Sequence, residues 1–147
     1  MEDLYAIMAA TPKNRDRSFI AAEELTGAPL ILPNRPHVLR DLVDELNFKR
    51  LVIVEVGALS MMVEMAKSGK AHTILPRSAV DSALATGGLV ALPIHEPNPS
   101  WEVSVCYSKV RPLSSAAEIV LKLLRTELRP KVRVGEWQAR LVASAGR

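Results

Sequence analysis

The apolar positions of this chain fall into short continuous runs that predict buried β-strands. These runs occupy residues 4–10, 30–32, 51–56, 72–76 and 89–94. The β-branched run LVIVEV at 51–56 is typical of a strand that is covered on both faces. Residues 101–107, WEVSVCY, follow the other strand pattern, in which apolar and polar positions alternate with a period of two.

Apolar residues spaced three and four apart predict helices between the strands. The predicted helices cover residues 19–27, 38–48, 57–69, 78–88 and 115–128, and residues 11–17 are predicted as a polar loop. On the helix at 38–48, the side chains expected to face solvent are Arg40, Asp41, Asp44 and Glu45. For the last helix, Ser115 and Glu118 predict a capping box, and Pro130 predicts the end.

The alternation of strands and helices predicts an α/β fold with a largely parallel sheet. Ligands of such sheets bind at the carboxyl ends of strands, beside helix N-termini. Three predicted strand ends carry suitable groups, namely PNRPH at 33–37, VGALS at 56–60 and HTILP at 72–76. At the first, Arg35 and a helix N-terminus favour an anion such as a carboxylate. Each also has a plain explanation: a proline-fixed turn, a helix cap made by Ser60, and a simple strand end.

Composition and charge are those of an ordinary globular protein, with 147 residues of which 48% are hydrophobic and 24% charged. No apolar run reaches the length of about 18 residues that predicts a membrane span. The acidic N-terminus argues against a secretion signal, so a cytoplasmic location is expected, which the single cysteine, Cys106, also fits. The net charge of +3 comes from residues 129–147, where five Lys/Arg face one acid, Glu136. A solvated basic tail is expected there, rather than a nucleic-acid-binding face.

Sequence motifs for catalysis and cofactor binding are missing from this chain. It contains no G-x-G-x-x-G, no Walker loop and no G-x-S-x-G. His37, His72 and His95 lie on separate predicted elements without a second ligand at helical spacing, and one cysteine excludes a multi-cysteine metal site. The sequence therefore predicts a protein that is not an enzyme and that has no cofactor, no metal site and no catalytic residues.

Three segments, in matching order, resemble the effector-binding (substrate-binding) domain of LysR-type transcriptional regulators. They are GAPLILPNRPHVLRDLVDE at 27–45, VEVGALSMMVEMAKSGKAHTILPRSAV at 54–80 and VRPLSSAAEIVLKLLRTEL at 110–128. The resemblance is collinear from about residue 4 to residue 128. It implies a periplasmic-binding-protein-like fold, in which two α/β subdomains are joined by crossover strands.

The resemblance also implies how the chain is divided. Residues 13–100 would form one complete α/β subdomain, the second of the family's regulatory domain. Residues 1–12 and 101–128 would supply crossover strands and the C-terminal helix of a partial first subdomain, followed by the basic tail at 129–147. The family's DNA-binding helix-turn-helix domain is expected to be absent from this truncated fragment. DNA would be contacted only by that absent N-terminal domain.

A small, acidic metabolite in the cleft between subdomains is the effector that the resemblance implies. The effector-binding residues carried over are Asn34, Arg35, Pro36, His37, Gly57, Ala58, Thr73 and Ile74. Residues 70–72, Lys-Ala-His, replace the family's glycine-bearing stretch, and His72 is expected to narrow or polarise the site. Replacing Arg35 by alanine is expected to abolish the response to an acidic effector. A homodimer or higher homo-oligomer is expected, paired through the helix at 38–48 or that at 115–128. The alternative is a stand-alone small-molecule solute-binding module of the same fold.

Overall fold

The computed structural model describes residues 1–46, 48–108 and 110–142, which form two compact units. The larger unit is Asp3–Trp101, and the smaller unit combines Met1–Glu2 with the chain from Glu102 onward. The predicted tail extends to residue 147, but its residues 143–147 lie outside the described residues.

The larger unit contains seven strands and four α-helices within the described residues. The strands are β1 (Glu2–Ala9), β2 (Ile20–Ala21), β3 (Pro29–Leu32), β4 (Leu51–Glu55), β5 (Thr73–Pro76), β6 (Leu89–His95) and β7 (Ser100–Trp101). The helices are α1 (Pro12–Arg15), α2 (Val38–Glu45), α3 (Leu59–Lys67) and α4 (Asp81–Ala85), with 3₁₀ turns at Ala22–Leu25 and Arg77–Ala79.

The strands form a sheet in the order β4-β3-β5-β1-β6-β2, and β7 also pairs with β1. β1 is antiparallel to both β5 and β6, whereas β2 is parallel to β6 and β3 is parallel to β4. An isolated parallel bridge between Leu30 and His72 joins β3 to β5, with hydrogen bonds of 2.9 Å and 2.8 Å on the two sides of His72. The predicted α/β class is therefore confirmed, but the prediction of a largely parallel sheet is wrong, because β1 is antiparallel to both β5 and β6 and the sheet is mixed.

The hydrophobic core lies in the larger unit, because the buried residues that form it in the described chain fall between Leu4 and Ile94. α2 buries Leu39 and Val43, and α3 buries Met62 and Ala66. The helical spacing of these positions is what predicted the two helices.

Two local predictions near the N-terminus are wrong. Residues 19–27 form the short strand β2 and a 3₁₀ turn instead of a helix, because Ile20 and Ala21 pair with β6. Residues 11–17 include the one-turn helix α1, which Thr11 caps by accepting a hydrogen bond from the Asn14 amide at 3.2 Å. A capping threonine followed by proline was the signal for this turn.

The α2–β4 region differs from its predictions in two respects. β4 is not covered on both faces: Leu51 and Ile53, which lie on the same face of this outer strand, are 49% and 46% exposed. Arg40 was expected in solvent but is buried, with an exposed fraction of 8%. α2 itself ends at Glu45, three residues before its predicted end, and residue 47 lies outside the described residues.

In the smaller unit, the predicted strand at 101–107 is wrong beyond Trp101, because the described chain places no strand beside residues 102–107. The last helix, α5, spans Ser115–Arg133 and so continues through Pro130, which was predicted to end it. Its N-cap is Ser114, whose hydroxyl accepts a hydrogen bond from the Ala117 amide at 3.3 Å, and not Ser115.

Part of the basic tail is bound to the start of the chain, contrary to the expectation of a solvated terminus. The Trp137 indole Nε1 donates to Glu2 Oε1 at 2.5 Å, and Ala139 forms an antiparallel bridge with Glu2. The Arg140 amide donates to the Met1 carbonyl oxygen at 2.7 Å. A groove of about 540 Å³ lies in this unit between α5, residues 103–105 and residues 137–142.

Candidate functional site

The loops after β3 and β4 lie at one edge of the sheet, because the two strands are parallel neighbours. The Val56 amide donates to the Leu32 carbonyl oxygen at 3.0 Å, which continues the ladder to the point where both strands end. The predicted residues that follow these strands are all exposed, namely Asn34, Arg35, Pro36, His37, Gly57 and Ala58. The structure thus brings six of the eight predicted site residues to one solvent-facing edge.

Asn34 and Gly57 are in direct contact across this edge. A Cβ atom added to Gly57 would lie 3.1 Å from the Asn34 side-chain oxygen, a separation tighter than most Cβ contacts. The glycine therefore allows the Asn34 carboxamide to rest against the backbone at the start of α3.

The N-terminus of α3 has no side-chain cap. Ala58 is its N-cap residue, and the Ala58 carbonyl oxygen accepts hydrogen bonds from Met61 and Met62 at 3.1 Å and 3.3 Å. Ser60 was predicted as a possible cap, but it lies inside the first turn, and the described chain provides its hydroxyl with no hydrogen-bond partner. Free amides, a helix dipole and an exposed hydroxyl together form an environment suited to an anion.

α2 begins at the same edge, but its N-terminus is already capped. The His37 Nδ1 atom accepts a hydrogen bond from the Leu39 amide at 3.1 Å, so the neutral ring carries its proton on Nε2. His37 thus acts as a cap for α2.

The Arg35 guanidinium is bound to carboxylates of α2. One nitrogen lies 3.2 Å from Asp41 Oδ1, and the other forms a short contact with Asp44 Oδ2. Arg35 would have to leave these partners to bind an acidic ligand. The two ion pairs depend on the folded position of α2 and are therefore not evident from the sequence.

Arg40 anchors the same acidic cluster from the buried side. Its Nε and Nη1 atoms contact Asp44 at 3.0 Å and Glu55 at 2.6 Å. Burial lowers the pKa of Arg40, but hydrogen bonds to Glu55 and Asp44 outweigh this effect and raise it. Arg50 also contacts Asp44, at 3.3 Å, and donates to the carbonyl oxygens of Val43 and Leu46 at the end of α2.

Thr73 and Ile74, the remaining predicted site residues, are fully buried. His72 lies level with Leu30 in the middle of the sheet, so Thr73 and Ile74 precede the carboxyl end of β5. The Thr73 hydroxyl contacts the Met62 sulfur at 3.8 Å beneath α3. They therefore lie behind the exposed edge, and their contact with an effector stays a prediction.

His72 is half-buried in the same region. Burial lowers the pKa of its imidazole, and its Nδ1 atom is buried without a hydrogen-bond partner in the described part of the chain. The described residues contain no group of three or more His, Cys, Asp or Glu side chains that could hold a metal ion. No helix among them is both long enough and apolar enough to cross a membrane.

Comparison with known proteins gives a consistent result. The family model described as LysR substrate binding domain matches residues 2–129. The reduced form of the OxyR regulatory domain from Pseudomonas aeruginosa is 32% identical, with a TM-score of 0.56, over 67% of this chain and 48% of that one. The chain thus spans about half the length of this relative. No curated protein sequence matches this chain.

Two more distant structures share the fold. The Synechocystis PCC6803 CcmR regulatory domain in complex with 2-PG has a TM-score of 0.70 at 18% identity, over 85% of this chain and 62% of that one. HinK, a LysR family transcriptional regulator from Pseudomonas aeruginosa, has a TM-score of 0.67 at 16% identity, over 86% of this chain and 45% of that one. These likenesses confirm the predicted periplasmic-binding-protein-like fold.

Proposed function

Because the chain belongs to the LysR substrate-binding domain family, we propose that it is the effector-sensing part of a transcriptional regulator that binds a small anionic metabolite. The family and its structural neighbours are domains of transcriptional regulators and not enzymes. In this proposal, DNA contact belongs to another part of the regulator.

The main observation in favour of an anionic ligand is the uncapped N-terminus of α3 beside Asn34. Its first amides and the Ser60 hydroxyl are hydrogen-bond donors at an exposed edge, and the Asn34 carboxamide adds a further donor. The N-terminus of α2 is less suited to an anion than that of α3, since His37 caps it. The relative CcmR is described in complex with 2-PG, which makes 2-PG a reasonable first probe.

In this proposal the eight residues contribute in different ways. Asn34, Gly57 and Ala58 contact the ligand at the start of α3, while Pro36 and His37 shape the adjoining loop. Arg35 contributes only if the ligand competes with Asp41 and Asp44. Thr73 and Ile74 support the ligand-binding edge from the core.

Amide chemical-shift mapping tests this proposal and tolerates weak binding. The ¹⁵N-labelled chain would be titrated with 2-PG, succinate and benzoate, and with glycerol as a neutral control. We expect at least one anion to shift the amides of Asn34, Arg35, His37 and residues 57–61 in a saturable manner, and Ser60→Ala with Asn34→Ala to weaken that shift. Ser82→Ala, an exposed serine on α4, should leave it unchanged.

Two results would contradict the proposal. The N-terminus of α3 would be excluded as the anion site if the shifts were confined to residues elsewhere. It would also be excluded if the double variant did not weaken them. Equal shifts with glycerol and with the anions would show that the ligand does not need a negative charge.

A further inference from the structure

We propose that Arg77, at the carboxyl end of β5, is the cation that selects the ligand of the proposed anion site, and that this ligand carries two separate acidic groups. One acidic group would bind the N-terminus of α3 and the other would bind the Arg77 guanidinium. The inference rests on the proposed function, since it names a residue and a ligand class for the same site. It gives to Arg77 the role that the sequence suggests for Arg35.

The register of the sheet places Arg77 at the edge where β3 and β4 end. Leu30 of β3 is level with His72. Four residues further along each chain, Asn34 is therefore level with Pro76, where β5 ends. Arg77 is the next residue. Because neighbouring strands lie about 4.8 Å apart, the backbone of Arg77 is close to the loop that contains Asn34.

Arg77 belongs to the face of the sheet that α3 covers. The Thr73 hydroxyl contacts the Met62 sulfur of α3 at 3.8 Å, so the Thr73 side chain is on the α3 face. Side chains alternate between the two faces along an extended chain, and Pro76 keeps the chain extended with φ of −66° and ψ of 146°. Arg77, four residues after Thr73, therefore leaves the sheet on the α3 face.

The length of an arginine side chain suits the distance from Arg77 to the start of α3. Four residues of strand, from Thr73 to Arg77, extend about 13 Å toward this edge. Four residues of helix, from Met62 back to Ala58, extend about 6 Å in the same direction. The Arg77 backbone thus lies beyond the first amides of α3. Its long aliphatic stem lets the guanidinium approach a ligand that is bound to these amides.

Arg35 is held on the opposite face of the sheet. Glu55 contacts Arg40 of α2 at 2.6 Å, which puts the Glu55 side chain on the α2 face. In the register of β4, β3 and β5, Glu55 is level with Ile74, the residue that alternates with Thr73. α2 and α3 therefore cover opposite faces, and the ion pairs of Arg35 with α2 hold its guanidinium on the α2 side.

The guanidinium of Arg77 is also less occupied than that of Arg35. The Arg77 Nε atom contacts Asp81 Oδ1 at 3.3 Å, and the described residues give its two terminal nitrogens no hydrogen-bond partner. Both terminal nitrogens of Arg35 contact carboxylates. A guanidinium whose two terminal nitrogens are free can bind a carboxylate or a phosphate through both of them.

Two separate positive features on one face favour a ligand with two acidic groups. The N-terminus of α3 carries a partial positive charge of about half a unit, and Arg77 carries a full one. Because the two features lie on different elements, a ligand with an acidic group at each end can bind both of them. A ligand with a single acidic group binds the helix N-terminus alone. The affinity for the first kind of ligand should therefore depend more strongly on Arg77.

Succinate and butyrate test this proposal, because they share a four-carbon chain but carry two carboxylates and one. Titration of the ¹⁵N-labelled chain at pH 7.5 gives a dissociation constant for each anion from the amides of residues 57–61. We expect Arg77→Met to weaken the binding of succinate at least about threefold and that of butyrate less than about 1.5-fold. Arg77→Lys keeps the charge and should retain part of the preference for succinate. Lys70→Met removes one exposed positive charge at the opposite edge of the sheet and should change neither constant.

The wild-type protein gives a second result. The Nε–H resonance of Arg77, identified by its absence from the spectrum of Arg77→Lys, should shift with succinate and stay in place with butyrate. Circular dichroism checks that the variants remain folded.

Several outcomes would overturn this inference and leave the proposed anion site intact. They are equal binding of succinate and butyrate by the wild type, equal weakening of both anions by Arg77→Met, and an unchanged preference in that variant. Loss of the preference in Arg35→Met instead would assign the cation to the α2 face. If no anion, including 2-PG, shifts the amides of residues 57–61, the proposed site and this inference fail together.

Discussion

At the scale of single residues, Arg40 and Arg35 share the Asp44 carboxylate but differ in burial. The Arg40 side chain is 10% exposed and the Arg35 side chain 59%. Loss of a buried cation leaves Asp44 and Glu55 without their partner and removes the packing of its aliphatic stem. Because Glu55 is itself half-exposed, we expect Arg40→Met to lower the free energy of unfolding by about 2 kcal/mol, less than for a fully buried pair.

Arg35→Met is the matched control on the same carboxylate. Since its guanidinium is mostly solvated, the substitution should change stability by less than about 0.5 kcal/mol. Urea denaturation of the two variants measures the difference. Equal losses would show that burial does not distinguish the two ion pairs.

The lowered pKa of His72 predicts that the free energy of unfolding depends on pH. Burial lowers the pKa of its imidazole below the ordinary value of 6.5, so the unfolded chain binds a proton at a higher pH than the folded chain. The contribution of His72 is therefore constant above about pH 6.5 and becomes increasingly unfavourable as the pH falls from there toward the lowered pKa.

His72→Gln should remove this contribution. Urea denaturation at pH 7.5 and pH 5.5 would show a smaller loss of stability on acidification in the variant than in the wild type. The exposed His95, changed to Gln, serves as the control and should retain the wild-type loss. If wild type and His72→Gln lose the same stability, the imidazole titrates normally in the fold.

At the scale of elements, the N-cap of α5 lies one residue before its predicted position, and two substitutions can test this. The hydroxyl of Ser114 accepts the Ala117 amide, whereas Ser115 is the first helical residue. Ser114→Ala should destabilise the first turn by about 1 kcal/mol, and Ser115→Ala should have little effect. Amide hydrogen exchange of residues 117–119 would measure this. A larger effect at Ser115 would restore the capping box predicted from the sequence.

The strands and helices that could be predicted are those whose signals are local. The apolar run at 51–56 and the helical spacing of Leu39 and Val43 each identified the correct element. Other features depend on distant partners: Ile20 is a strand residue because β6 lies beside it, and residues 102–107 form no strand because the described residues place no neighbour beside them. The burial of Arg40 likewise depends on Glu55, fifteen residues away.

At the scale of the molecule, the candidate site likewise combines features that are evident from the sequence with features that depend on distant partners. Residues 33–37 and 57–58 were predicted at one edge, because parallel strands bring their carboxyl ends together, and they do lie at that edge. The occupation of Arg35 by Asp41 and Asp44, and the open N-terminus at Ala58, required side-chain geometry. Thr73 lies deeper than expected, because β5 continues for three residues beyond it.

The two units should differ widely in stability, because all buried apolar residues of the described chain lie in the larger one. Segments with few buried apolar contacts open at low free-energy cost. In brief digestion with trypsin we expect the first cuts at Lys122 and Arg125, which are exposed on α5. The region of residues 3–101 should persist as a folded core, identified by mass spectrometry and circular dichroism.

The relative stability of the two units can be measured in one digest, because both units contain exposed cleavage sites. Exposed lysines of the larger unit, Lys49 and Lys70, provide the internal reference. Early cleavage there, with α5 intact, would show that the larger unit is the less stable of the two.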